Sequence, residues 1–75
     1  MNLSDVKINT PCVVKSVKIQ DDKLKFRLME LGLIEECEIV IYKKSISKKT
    51  LLIFFAGLCF TLKLNLAAQI EVEYA

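Results

Sequence analysis

The sequence predicts a mainly β fold: a small closed or nearly closed barrel of about five short strands, with one helix between the first and second. Three observations predict it. Apolar residues alternate with period two over residues 37–42, 51–56 and 59–63. Turn signals at Asn9-Thr10-Pro11, Gly32, Lys43–Lys49 and Ala56-Gly57 cut the chain into pieces too short for long helices. One segment departs from that period, because Leu24, Leu28 and Leu31 recur at helical spacing. With 75 residues, a single domain over 1–75 is the expectation.

Taken in order, Leu3 to Lys7 reads as one short turn capped by Ser4, with Leu3 and Val6 facing inward together. Asn9 suits a tight turn before Pro11, since asparagine tolerates positive φ. Cys12 to Ile19 is the first strand. Cys12 and Val14 share one parity and Val17 and Ile19 the other, so a bulge near Lys15-Ser16 is needed to bring all four to one face. Asp21 or Asp22 caps the helix, its negative charge matching the helix N-terminus. Leu24, Leu28 and Leu31 form the apolar stripe, and Gly32 ends it with a left-handed φ, after which Leu33 folds back on the last turn.

Glu35-Glu36 leads into the second strand, with Cys37, Ile39 and Ile41 inward and Glu38, Val40 and Tyr42 outward. Lys43–Lys49 is a polar loop. Leu51, Ile53 and Phe55 then alternate with Leu52, Phe54 and Ala56. After a turn at Gly57, Phe60 and Leu62 alternate with Cys59, Thr61 and Lys63. Asn65 caps a short turn through Leu66-Ala67-Ala68. Gln69 to Tyr74 is the last strand, with Ile70 and Val72 inward and Glu71 and Glu73 outward.

Composition narrows the function. A hydrophobic fraction of 53% is high for so small a domain, which points to contact with a partner or a second copy. Net charge is +2, from 11 basic and 9 acidic residues, too balanced for a dedicated nucleic-acid binder. The lysines at 43, 44, 48 and 49 read first as a solvated loop, and second as a contact for phosphate or an acidic partner. The uncharged run from Thr50 to Leu62 is shorter than the ~20 residues of a spanning helix, and Ala56-Gly57 makes it two strands. Three widely spaced cysteines and a polar N-terminus without a secretory signal imply a reducing, cytoplasmic compartment.

Catalytic chemistry is not visible. There is no histidine, the commonest general base. Gly32 and Gly57 are isolated, so no phosphate-cradling loop exists, and the serines have no base nearby in sequence. Asp21-Asp22 and Glu35-Glu36 read as a cap and a turn. Cys12, Cys37 and Cys59 lack the close spacing of thiolate metal sites. Cys12 and Cys37 have inward parity, and Cys59 reads as a surface thiol. No cofactor or metal site is therefore assigned. The surface offers more. Val40, Tyr42, Leu52, Phe54 and Leu58 are read as an outward apolar patch, with Leu64 beside it. Phe26 and Met29, three apart and off the helix stripe, form a second candidate contact.

The run Arg27-Leu28-Met29-Glu30-Leu31-Gly32-Leu33 carries a family resemblance. With Leu3-Ser4-Asp5, the Val14/Val17 pair, the Ile39/Ile41 alternation, and Gly57, Phe60, Leu62, Ala67, Ile70 and Val72, the chain resembles the FeoA family over essentially its whole length. The resemblance implies an SH3-like barrel. It also implies a non-enzymatic cytoplasmic accessory role in bacterial ferrous iron transport, through contact with the GTPase region of the membrane transporter FeoB. A similar barrel occurs as a module of metal-dependent repressors. That leaves two alternatives: a regulatory module acting beside a repressor or nucleic acid, and an iron-binding chaperone using Cys12 and Cys59. The chain departs from the family pattern at Asn9 and Glu35-Glu36, where the family often has Gly and Pro-Gly, so the second turn is expected to take another form. It departs again at Phe26 and Leu64, where basic residues are common.

Overall fold

The computed structural model describes all 75 residues. A 3₁₀ turn over Leu3–Asp5 precedes β1 (Cys12–Val17), α1 (Asp22–Leu31), β2 (Glu38–Ser45), β3 (Thr50–Phe55), β4 (Leu58–Lys63), the single turn α2 (Leu64–Ala67) and β5 (Ile70–Tyr74). The strands form one antiparallel sheet in the order β4-β3-β2-β1-β5. The expected barrel is open: β4 and β5 do not pair. α2 is the reason, because the chain passes from β4 to β5 through this helical turn rather than a hairpin, which keeps the two strands apart.

One core serves every element. Its 16 buried residues are all hydrophobic, and no buried side-chain polar atom lacks a partner. The inner face supplies Cys12, Val14, Ile39, Ile41, Leu51, Ile53, Phe55, Leu62, Ile70 and Val72. Leu3, Val6, Ile19, Leu28, Leu33 and Ala67 close it from the connections and helices.

Local chemistry explains most of the elements. The bulge in β1 lies between Val14 and Ser16, and it brings Val17 opposite Ile70 and against the core. Asp21 is the N-cap of α1; its carboxylate accepts from the Lys23 and Leu24 N–H groups. Gly32 adopts φ 111°, and Leu33 N–H returns to the Leu28 carbonyl at 2.9 Å, a Schellman closure. A Cβ on Gly32 would sit 2.7 Å from Ala56 Cβ, so glycine is required there twice over. Ala56 and Gly57, both at positive φ, make the two-residue turn of the β3–β4 hairpin.

Several expectations are corrected. The first turn is capped by Asn2, whose Oδ1 accepts the Ser4 N–H at 3.0 Å; Ser4 lies inside the turn. Leu31 is exposed, since the helix stops immediately after it and Leu33 fills the inward position. β2 runs on into the lysine segment as far as Ser45, because a bulge between Ile41 and Lys43 keeps the ladder to β3 intact. Asn65 lies within α2 and caps nothing; its carbonyl accepts from the Gln69 side chain. Glu36 keeps the left-handed conformation expected of glycine, at φ 71°. Its N–H donates to the Val14 carbonyl at 2.7 Å and Lys15 Nζ meets its carboxylate at 3.1 Å, contacts that offset the strain.

Candidate docking surface

The outer face of β2 and β3 is apolar where a one-layer sheet normally turns polar residues to water. Val40 and Phe54 are directly opposite each other across the ladder. Tyr42, at the β2 bulge, stacks on Phe54 with ring centroids 5.6 Å apart and planes 19° apart. Leu52 and Phe54 continue the face toward β4, opposite Thr61 and Cys59. Val40, Leu52 and Phe54 are half-buried and Tyr42 is exposed. Four of the predicted surface residues therefore form one patch.

The other four do not join it. Leu58 lies opposite Phe55, on the core side of the sheet, and shares parity with Phe60 and Leu62. The outward residue at that end of β4 is Cys59. Leu64 opens α2 and borders a separate depression of about 570 Å³ with Ser4, Lys48, Lys49 and Lys63. Phe26 and Met29 are on α1, and Phe26 is 63% exposed. Met29 shares a groove with Val17, Leu33 and Ile34. The reading from sequence missed Ile34 and Ile46, both exposed. Ile46 is a lone apolar residue in a polar turn, and no periodic signal marks it.

The electrostatics are simple. Lys43, Lys44, Lys48 and Lys49 form no salt bridge; Lys44 Nζ donates to the Ser4 carbonyl at 3.2 Å. Cys12 is sealed in the core, where its Sγ donates to the Ile39 carbonyl at 3.3 Å. Burial, then the nearby Cys37 and Glu38, push its thiol up to about 11. Burial also pushes the Cys37 thiol up, against a hydrogen bond with the Ile34 backbone that lowers it. Cys59 is exposed on the opposite side of the sheet from Cys12, so those two cannot share a ligand. No three His, Cys, Asp or Glu residues come together as a metal site. No helix is long and apolar enough to cross a membrane.

The model of the FeoA domain matches residues 1–74. The chain belongs to the FeoA domain family. The solution structure of the FeoA protein from Chlorobium tepidum has a TM-score of 0.90 at 26% identity, over 99% of this chain and 70% of that one. The Stenotrophomonas maltophilia FeoA, solved with zinc, has a TM-score of 0.83 at 29% identity, over 97% of this chain and 89% of that one. It is described as a procaryotic SH3 domain protein and put forward as a bacterial ferrous iron transport activating factor. T. acidophilum IdeR contains the same fold, with a TM-score of 0.80 at 19% identity, over all of this chain and 34% of that one. No curated protein matches.

Proposed function

We propose that this FeoA-domain chain is a non-enzymatic, cytoplasmic accessory protein of ferrous iron transport. It docks on the cytoplasmic GTPase region of the FeoB transporter and alters that protein's nucleotide cycle or assembly. Family membership supports the transport setting. The observation that carries the docking mode is the stacked Tyr42–Phe54 pair, flanked by Val40 and Leu52, on a face the fold does not need to be apolar. Aromatic residues centred in an apolar patch are the usual anchors of a protein contact.

The test is a pull-down of the full chain against the cytoplasmic region of FeoB, with a Phe54→Lys control. Binding that the control loses supports this face as the docking surface. No binding across nucleotide states and salt concentrations overturns the reading. The alternative of a regulatory module beside nucleic acid rests on the lysines and on a likeness that shows the fold alone. Strongly salt-dependent DNA or RNA binding would favour it. The chaperone alternative loses its ligand pair, because Cys12 and Cys59 face opposite sides of the sheet.

A further inference from the structure

β4 and β5 are the two edges of the sheet, and they are finished differently. Along β5, Asn2 bridges Glu71, and the Met1 carbonyl accepts the Val72 N–H at 2.8 Å. Glu71 and Glu73 put charge on the same strand. A covering segment and edge charges are what stop a strand from recruiting another. β4 has neither. Its six residues pair with β3 in unbroken register, include no proline, and carry one charge, at Lys63 on the end.

The free peptide groups can be assigned. Leu58 closes the two-residue turn opposite Phe55, so its backbone groups face β3. By alternation Phe60 and Leu62 also face β3, and the N–H and C=O of Cys59 and Thr61 face the open edge. No loop or turn hydrogen bond reaches residues 58–63. Beside this edge runs a groove of about 450 Å³, where Leu24, Phe60, Leu62 and Leu66 are joined by the polar Asp21, Thr61, Lys63 and Asn65.

We propose that β4 is a dimerisation strand. It adds antiparallel to β4 of a second copy of this chain, across a two-fold axis normal to the sheet. The edge is self-complementary under that operation. Cys59 and Thr61 meet residues of the same parity, so unpaired donors and acceptors of one copy face those of the other. The half-buried Phe60 of each copy lies beside this groove of its partner. Residues 58–62 carry no charge, so the two strands meet without repulsion, and each Lys63 lies at an outer end. The covered β5 edge makes the assembly stop at two copies rather than continue as a filament.

Sedimentation equilibrium under reducing conditions tests the proposal on the full chain. The expected average mass rises from 8.6 kDa toward twice that value as concentration increases into the range of about 1 mM. The variant Cys59→Lys/Thr61→Lys changes two exposed side chains. In any two-fold antiparallel register it sets lysine against lysine, so it is expected to stay at 8.6 kDa with an unchanged circular dichroism spectrum. Amide exchange on the unmodified chain is a second readout, with the Cys59 and Thr61 amides slowing as concentration rises. A wild-type mass fixed at 8.6 kDa, a double variant that associates like wild type, or concentration-independent exchange at these two amides would each overturn the proposal. Dimerisation does not depend on FeoB binding, so either idea can fail alone.

Discussion

Leu51, Ile53 and Phe55 are sealed in the core, while Leu52 and Phe54, their immediate neighbours along β3, are left half-exposed. The two sets have the same chemistry and differ only in parity. The pleat sends alternate residues to opposite faces, and this molecule has a second layer on one face only. Apolar character inside is demanded by folding. Apolar character outside is not, since no element of this chain covers it. On the outer face of β2 and β3 composition thus exceeds what the fold requires, and the protein–protein reading rests on that difference.

The contrast is most easily broken at its strongest point. Phe55→Ala is expected to destabilise by about 3–5 kcal/mol, because it leaves a cavity beside Phe60 and the inner sheet. Phe54→Ala should cost no more than about 1.5 kcal/mol, mainly the stacking with Tyr42. Urea unfolding of the pair decides it. Equal losses would mean that both faces of β3 are core. Gly32→Ala comes next, at about 2 kcal/mol. It forces a side chain into φ 111° and drives Cβ into Ala56, where α1 meets the β3–β4 hairpin. A loss below ~0.5 kcal/mol would show that the helix does not seal the inner face there.

Docking sharpens the comparison from the other side. Phe54→Lys and Leu52→Lys are expected to weaken FeoB binding at least about tenfold, with stability changing by no more than about 1.5 kcal/mol. If either variant unfolds, the residue belongs to the core and the patch is not a binding surface.

Much of this architecture is readable in the sequence because it rests on local rules. Gly32, the Ala56-Gly57 turn, the Asp21 cap and the β1 bulge each follow from a backbone need that few residues satisfy. Alternation places Val40, Tyr42, Leu52 and Phe54 on one face for the same reason. Other features depend on information a short window lacks. The continuation of β2 to Ser45 is set by pairing with β3, and lysines carry no alternation of their own. Leu58 differs from these, since its parity with Phe60 and Leu62 is readable by alternation alone and places it on the core side, against the outward reading. Glu36 holds a glycine conformation through contacts with Val14 and Lys15 that are distant in sequence. The open seam between β4 and β5 follows from where α2 stands, which no residue in either strand encodes.

The cysteines repeat the inner–outer comparison in a form that titration can read. Cys59, exposed beyond Phe54, is expected to react with a thiol reagent at the rate of an open site, the half-buried Cys37 more slowly, while Cys12 waits for the fold to open. Cys12 also carries a pH signature. Its thiol is raised from 9.0 to about 11 by burial first, then by Cys37 and Glu38. The folded chain therefore holds this proton more tightly than the unfolded chain. The resulting stability is fully present below pH 9 and is lost as pH rises through about 11. The informative quantity is the difference between wild type and Cys12→Ala, which isolates this thiol from every other group. The variant starts lower, because it leaves a small cavity and loses the bond to the Ile39 carbonyl, but it should decline less steeply over that window. Urea midpoints at both ends of the window measure the two slopes. Parallel slopes would mean that the inner face opens readily enough for Cys12 to ionise as it does in water, and the sealed core would have to be given up.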